Sequence, residues 1–177
     1  MIILPLLPAA ALIAFGVWAF LRGSNSARED SLTSNDYTRF ALGDDIRTSL
    51  GWPYFFGRGS PATKWEDGPK GVDCSGYAQM VLVRLGKLSS SAGDRGARTL
   101  ANDSDPVAVG AQKPGDLAYY PGHVMVVASS PDKSGHSMVI GASGGTETTL
   151  GNDANARVKL FDSAMYRKDF VTYMRLR

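Results

Sequence analysis

The second half of the chain is a series of short apolar runs separated by turn-forming residues, and this pattern constrains the fold most. The clearest runs are Asp116–Tyr120, Val124–Ala128 and Met138–Ala142. Apolar runs of this length, bounded by Gly, Pro, Asp and Ser, are typical of buried strands. We expect the last two runs to form a hairpin centred on Asp132. Residues 157–161 and 170–176 are candidates for further strands.

Two segments in the first half show helical spacing instead. Residues 35–50 carry apolar side chains at approximately helical intervals and end before a proline at position 53. Residues 76–85 form a second apolar run, which stops at Gly86. We expect loops between these elements, at 57–71 and 89–111. Helices followed by strands predict an α+β domain, to which we assign residues 35–177.

The first 21 residues form a separate unit. Residues 2–21 contain no charged side chain and are followed by Arg22. Because 20 helical residues span roughly 30 Å, the thickness of the bilayer core, the sequence predicts one transmembrane anchor in residues 1–22 that inserts in a lipid bilayer. The alternative is a cleaved signal peptide, against which the run is long and no Lys or Arg precedes it. Residues 23–34 are small and polar and predict a linker.

The charge and the cysteine count exclude several classes of protein. Net charge is +2, from 19 basic and 17 acidic residues, so we expect no nucleic-acid partner. A single cysteine makes no internal disulfide, and the fold must depend on its core. One cysteine and two histidines also make a zinc site improbable, because structural zinc usually has four ligands. We expect no metal and no cofactor.

The cysteine itself is the candidate for chemistry. Cys74 lies between Asp73 and Ser75, directly before the apolar run at 76–85. The dipole of a helix lowers the pKa of a thiol at its N-terminus, so this position favours a thiolate. A cysteine nucleophile needs a base, and His123 stands where a glycine turn leads into an apolar strand. From spacing alone, an inert buried cysteine and a surface histidine remain the alternative.

Four stretches add a resemblance to this pattern. They are 50–57 (LGWPYFFG), 73–76 (DCSG), 114–117 (PGDL) and 123–124 (HV), in that order. Together they resemble the NlpC/P60 family of cysteine peptidases, which cut peptidoglycan stem peptides, and residues 166–171 resemble the family's last strand. The resemblance implies a papain-like fold, in which a helix bearing the cysteine packs on an antiparallel sheet bearing the histidine.

The resemblance also implies roles for individual residues. Cys74 attacks the scissile carbonyl, and His123 takes its proton and later protonates the leaving amine. Tyr54 lies beside the oxyanion, while Asp73 and Ser75 hold the free amine or polar groups of the peptide. Each of these last three also has a simpler interpretation: Tyr54 as a core residue, and Asp73 and Ser75 as helix caps.

One position departs from the family pattern. The family usually has a polar residue on the neighbouring strand that orients the imidazole, and here Gly141 occupies that place. A hairpin centred on Asp132 would pair residue 123 with residue 141, which excludes His136 as a substitute. Ser143 is a more distant candidate, and water or a backbone carbonyl could also serve. Both a tolerant dyad and a decayed enzyme remain open.

We therefore expect a membrane-anchored cysteine endopeptidase that acts on peptidoglycan stem peptides. The alternatives are an amidase or acyl transferase on the same scaffold, and a decayed module that binds the wall. The setting is either a bacterial envelope or the membrane of a phage virion, with protein partners there, and the sequence does not fix the orientation of the span.

Overall fold

The computed structural model describes residues 38–177. Within this range no helix is long and apolar enough to cross a bilayer. The predicted membrane span at 2–21 and the predicted linker at 23–34 lie outside the described residues, so both stay predictions.

The described chain forms an α+β domain around one antiparallel sheet. Its helices are α1 (Asp44–Arg47), α2 (Cys74–Arg84) and α3 (Ala97–Asn102), with two short 3-10 helices at Trp65–Lys70 and Ala164–Tyr166. Its strands are β1 (Ser104–Val107), β2 (Leu117–Tyr120), β3 (His123–Val127), β4 (Val139–Ser143), β5 (Arg157–Phe161) and β6 (Thr172–Leu176). They lie in the order β1-β6-β2-β3-β4-β5, and neighbouring strands are antiparallel. The predicted α+β class is confirmed.

Helix α2 is the central helix of the domain. Every residue from Cys74 to Leu82 is buried except Ser75, and the helix packs against β3 and β4. A helix that is apolar on all sides must be enclosed by other elements, which explains why its run lacks a polar face. The packing fixes the start of α2, where Cys74 lies, against the sheet.

Strand β3 is buried along its whole length. Met125 and Val127 point to one face, where they join a small cluster with Tyr120, Val139 and Tyr173. Because side chains alternate along a strand, His123 belongs to the same face as Met125 and Val127. This face is covered by the segment around Ala164–Tyr166 and by Phe170.

The register of β3 and β4 corrects the predicted hairpin. Val126 pairs with Ile140 and Val127 with Val139, and Ala128 N–H donates to the Met138 carbonyl over 2.8 Å. Continued along the strands, this register puts residue 125 opposite 141 and residue 123 opposite 143. The pairing of 123 with 141 is therefore wrong by two residues. His136 does lie in the connecting loop, as predicted.

Two local predictions were also wrong. The expected helix at 35–50 is reduced to α1 and one shorter helical stretch within its described part, because Gly43 at φ 98° interrupts the helical backbone. Residues 89–111 are not wholly irregular, since they include α3 and β1. Asp105-Pro106, within this predicted loop, lies inside β1, at the edge of the sheet, where a proline costs no central hydrogen bond.

Candidate active site

The start of α2 is fixed by the Asp73 carboxylate. Its Oδ1 accepts hydrogen bonds from Gly76 N–H at 2.7 Å and from the Ser75 hydroxyl at 3.0 Å, while Oδ2 accepts from Gly57 N–H at 2.9 Å. An aspartate at this position satisfies backbone donors that the first turn leaves free. These contacts support the helix-cap interpretation of Asp73, whereas Ser75 only donates to the capping carboxylate; the binding of substrate by both residues stays a prediction.

Gly76 lets a loop lie directly on this first turn. A Cβ on Gly76 would stand 2.2 Å from the Arg58 carbonyl oxygen and 2.7 Å from Gly59 Cα, which no side chain can tolerate. The same Arg58 carbonyl accepts a 2.8 Å hydrogen bond from Asp73 N–H. The loop at 58–59 is therefore held against the residues that flank Cys74.

The Cys74 thiol is enclosed by backbone N–H groups. Those of Val124, Ser75 and Cys74 are directed so that they favour the thiolate and lower the pKa of the thiol. Val124 directly follows His123, so the structure brings the start of α2 to the start of β3. Burial, with a smaller effect of the Asp73 charge, nevertheless raises the pKa of the thiol. The lowering expected from the helix N-terminus is outweighed, because a buried thiolate loses its hydration.

His123 is the first residue of β3 and is 8% exposed. Burial, and then the charge of Arg167, lower the pKa of His123 to about 4, so the imidazole is neutral at pH 7. Its Nε2 lies 3.2 Å from the Tyr166 hydroxyl. Among residues 38–177 no hydrogen bond joins the imidazole to the Cys74 thiol, and the strand meets the thiol through Val124 N–H. In this state the two groups are a neutral pair rather than an ion pair.

Tyr54 lies beside the cysteine. It is 6% exposed, and its backbone bridges Val72, two residues before Cys74. Burial, followed by the charges of Cys74 and Asp73, raises the pKa of the Tyr54 phenol. The hydroxyl therefore keeps its proton, as a donor to an oxyanion requires, although the residue is also part of the core.

The space beside Gly141, where a side chain would lie, is occupied by Met125. A Cβ there would stand 3.1 Å from Met125 Cγ and 3.2 Å from Met125 Cε, so the methionine fills the space that a side chain at 141 would need. Ser143 continues the same face of β4 and is opposite His123 in the register. Its hydroxyl is close enough to Tyr166 to lower the pKa of that phenol, although burial, the larger effect, raises it.

Tyr166 is the site residue whose role sequence reasoning missed. It ends the short helix Ala164–Tyr166, and its ring stacks on Phe161 at a centroid distance of 3.8 Å. It also meets Tyr120 edge-on at 5.7 Å. Tyr166 falls within the stretch that resembles the family's last strand, but no motif or spacing linked it to a histidine 43 residues earlier.

A cation and an anion complete the surroundings of His123. Arg167 and Asp169 form a two-pronged ion pair with distances of 2.9 and 2.6 Å. The arginine lies over the Tyr120 ring and hydrogen-bonds Tyr166. Residues 38–177 contain no cluster of three or more His, Cys, Asp or Glu side chains placed to hold a metal ion.

Comparison with known proteins identifies the fold. No protein-family model and no curated protein sequence matches this chain. The peptidoglycan hydrolase RipB from Mycobacterium tuberculosis is similar in structure, with a TM-score of 0.51 and 21% identity over 76% of this chain and 61% of RipB. An NLP/P60-family protein from Staphylococcus aureus gives a TM-score of 0.50 and 18% identity over 92% of this chain and 48% of its own.

A third structure, the P60 domain of an antigen from M. avium subspecies paratuberculosis, gives a TM-score of 0.49 and 19% identity over 76% of this chain and 90% of the domain. The chain thus spans about 61% and 48% of the lengths of RipB and the S. aureus protein. At such low sequence identity, the structural similarity establishes the fold alone. The domain therefore has the fold of solved NlpC/P60 proteins.

Proposed function

We propose that the protein is a cysteine peptidase that hydrolyses peptide bonds in peptidoglycan stem peptides. The observation that carries the proposal is the meeting of α2 and β3, where the N–H of Val124, the residue after His123, lies near enough to the Cys74 thiol to favour its thiolate form. The fold, shared with a solved peptidoglycan hydrolase, and the motifs around both residues support it.

The protonation states define the first step. Since the thiol has a raised pKa and the imidazole a lowered one, the free enzyme holds Cys74 as S–H and His123 as a neutral base. His123 removes the thiol proton as sulfur attacks the carbonyl carbon of the scissile amide, and the C–N bond then breaks as the imidazolium protonates the leaving amine. Water hydrolyses the thioester and regenerates the thiol.

Backbone and phenol donors supply the charge stabilisation. The N–H groups of Cys74, Ser75 and Val124 favour negative charge on sulfur, which offsets part of the burial cost as the proton leaves. Cys74 N–H and the protonated Tyr54 hydroxyl are the candidate donors to the oxyanion. Removal of one such donor typically lowers kcat by about 10²- to 10³-fold.

We place the enzyme in a bacterial envelope or a phage virion, anchored to the bilayer by residues 2–21 and facing peptidoglycan. The Asp73 carboxylate already accepts hydrogen bonds from Gly76 N–H and the Ser75 hydroxyl. That Asp73 and Ser75 also bind the free amine of the peptide is part of this proposal. An amidase or acyl transferase on the same scaffold would use the same thiol, so the bond that is cleaved has to be identified from the products.

The test is digestion of purified peptidoglycan with the full chain under reducing conditions. We expect new free amines and, by mass spectrometry, products cut within the stem peptide. Cys74→Ala should abolish both and retain the fold, because a methyl group fits where the thiol lies. The matched control is Ser91→Ala, which removes an exposed hydroxyl far along the chain from the site and should leave activity unchanged.

Other outcomes of this digestion would refute or change the proposed activity. No new amine from the wild type would refute the proposal. Equal release by wild type and Cys74→Ala would assign the activity elsewhere. Products cut between the glycan and the peptide would identify the enzyme as an amidase instead of an endopeptidase.

A further inference from the structure

We propose that Tyr166 is the residue that positions the His123 imidazole, through its hydroxyl and supported by Ser143. The inference rests on the proposed function, in that an imidazole needs positioning only if it serves as the base. Its structural content is the 3.2 Å hydrogen bond between the Tyr166 hydroxyl and His123 Nε2, with Ser143 close enough to lower the pKa of the phenol.

Gly141 has no side chain, and a Cβ there would stand 3.1–3.2 Å from Met125, which would have to shift to admit one. Residue 125 is opposite residue 141 in the register, so the large side chain on β3 complements the missing one on β4. The residue of β4 opposite His123 is Ser143, and the hydroxyl that reaches the imidazole is that of Tyr166.

The Tyr166 hydroxyl contacts the imidazole directly. Tyr166 Oη lies 3.2 Å from His123 Nε2. The Tyr166 ring is held by stacking on Phe161 and by the edge of Tyr120, so the hydroxyl is presented by a packed side chain and not by a free one. Burial raises the pKa of the phenol, which keeps it neutral and able to accept a hydrogen bond and donate another.

The protons available on the two side chains fit this contact. If Nε2 carries the proton of the neutral imidazole, it donates to Tyr166 Oη, and the phenol proton goes to the Ser143 hydroxyl. This arrangement leaves Nδ1 unprotonated and free to receive the thiol proton. Once His123 becomes an imidazolium, Nε2–H still has its acceptor, which holds the ring in one orientation through both proton transfers.

NMR spectroscopy tests this proposal by measuring which nitrogen of the His123 imidazole carries the proton. The full chain is labelled with 15N-histidine, and long-range 1H–15N correlations at pH 7 report which ring nitrogen carries the proton. The chain has only two histidines, so His136→Gln assigns the signals. We expect the Nε2–H tautomer for His123 in the wild type and a mixture of tautomers in Tyr166→Phe, which removes only the hydroxyl.

The same variant is then assayed on peptidoglycan. We expect Tyr166→Phe to lower kcat about 10- to 100-fold with KM unchanged, the range for loss of one hydrogen bond to a charged group. Ser143→Ala should give a smaller loss of the same kind. The double variant should be no worse than Tyr166→Phe alone, because both residues act through one series of hydrogen bonds.

Tyr173→Phe is the matched control. Its hydroxyl accepts from Ser137 N–H in the same small cluster and does not contact His123. It should alter stability without altering the His123 tautomer or kcat. If Tyr166→Phe fails to fold, Ser143→Ala decides by the same two measurements.

The outcomes separate this inference from the proposed function. An Nδ1–H tautomer in the wild type, or unchanged tautomer populations in Tyr166→Phe, overturns the inference whatever the activity. An active wild type whose kcat does not respond to Tyr166→Phe also overturns it. A tautomer that depends on Tyr166 in a chain that leaves peptidoglycan intact refutes the proposed function and supports the positioning contact.

Discussion

The two halves of the candidate site are held by different means. On the cysteine side, the thiol is surrounded by backbone N–H groups, and the first turn of α2 is fixed by the Asp73 cap and by the loop lying on Gly76. On the histidine side, the imidazole is surrounded by side chains, with Tyr166 at Nε2 and the Arg167–Asp169 pair nearby. Backbone sets one half of the site and side chains set the other.

This difference has a consequence for how each half responds to change. The donors around Cys74 cannot be removed one by one, since they belong to the main chain, and they are disturbed only when the backbone moves. The groups around His123 can each be altered by a single substitution that leaves the fold in place. Loss of fold should therefore follow substitutions that displace the backbone on the cysteine side, and graded loss of function should follow side-chain substitutions on the histidine side.

The largest effect should come from Gly76→Ala. The new Cβ would meet the Arg58 carbonyl at 2.2 Å, so the loop at 58–59 or the first turn of α2 must move. We expect a loss of about 3 kcal/mol or more of unfolding free energy, the upper end for overpacking, together with loss of the N–H contacts to the thiol. Urea denaturation and the rate of Cys74 alkylation measure the two effects.

Gly93→Ala is the control for this comparison. It lies in a loop with nothing within 4 Å of the new Cβ and needs no unusual backbone conformation, so its stability should stay within about 0.5 kcal/mol of the wild type. Wild-type stability and alkylation in Gly76→Ala would show that the backbone on the cysteine side is adaptable, and the contrast between the two halves would fail.

The second effect is an acid sensitivity that originates at His123. Its pKa is about 4 in the folded state and near 6.5 when unfolded, so the unfolded chain binds a proton first as the pH falls. Stability is unaffected above pH 6.5 and decreases between pH 6.5 and 4. By linkage the total loss approaches roughly 3 kcal/mol, because each pKa unit corresponds to about 1.4 kcal/mol.

Urea unfolding of the full chain between pH 7 and pH 4 tests this. His123→Gln removes the titrating group, so its stability should decrease less than that of the wild type over the same interval. Parallel curves for the two proteins would mean that the imidazole is free to take a proton in the folded state. The side-chain enclosure of His123 would then be too loose to orient it.

The contrast also explains what the sequence allowed us to predict. Cys74 and its helix were located within two residues, and β3 and β4 within one, because apolar runs and capping residues act locally. The register of the β3–β4 hairpin was wrong by two residues, since the loop between them is long and its centre is not marked by a two-residue turn. That error assigned the place opposite His123 to Gly141 instead of Ser143.

The neighbours of His123 could not be predicted for a related reason. Tyr166 reaches Nε2 because Phe161 and Tyr120 hold its ring, and both contacts join residues from different elements. Met125 fills the space at Gly141 only because the actual register puts them opposite each other. Sequence patterns indicate which residues are buried, whereas packing decides which of them touch.

The smallest effect should come from the charges beside His123. Arg167 lowers the pKa of the imidazole and Asp169 raises it, and the two are paired with each other. Asp169→Asn leaves the arginine charge unopposed, so we expect the pKa of His123 to fall further. Arg167→Gln removes the positive charge that disfavours the imidazolium, so the pKa of His123 should rise. NMR titration of His123 measures both, and the acid limb of kcat/KM should move in the same directions.

The directions of these two pKa shifts distinguish an effect of charge from an effect of packing. Arg167 also lies over the Tyr120 ring and hydrogen-bonds Tyr166, so Arg167→Gln could act through packing rather than charge. Arg167→Lys keeps the charge and loses the planar fork, and a wild-type pKa of His123 in that variant would assign the effect to charge. Shifts of the same sign in Asp169→Asn and Arg167→Gln would instead assign it to packing. His123 would then depend on the shape of its side-chain enclosure as Cys74 depends on its backbone, and the two halves of the site would differ less than their contacts indicate.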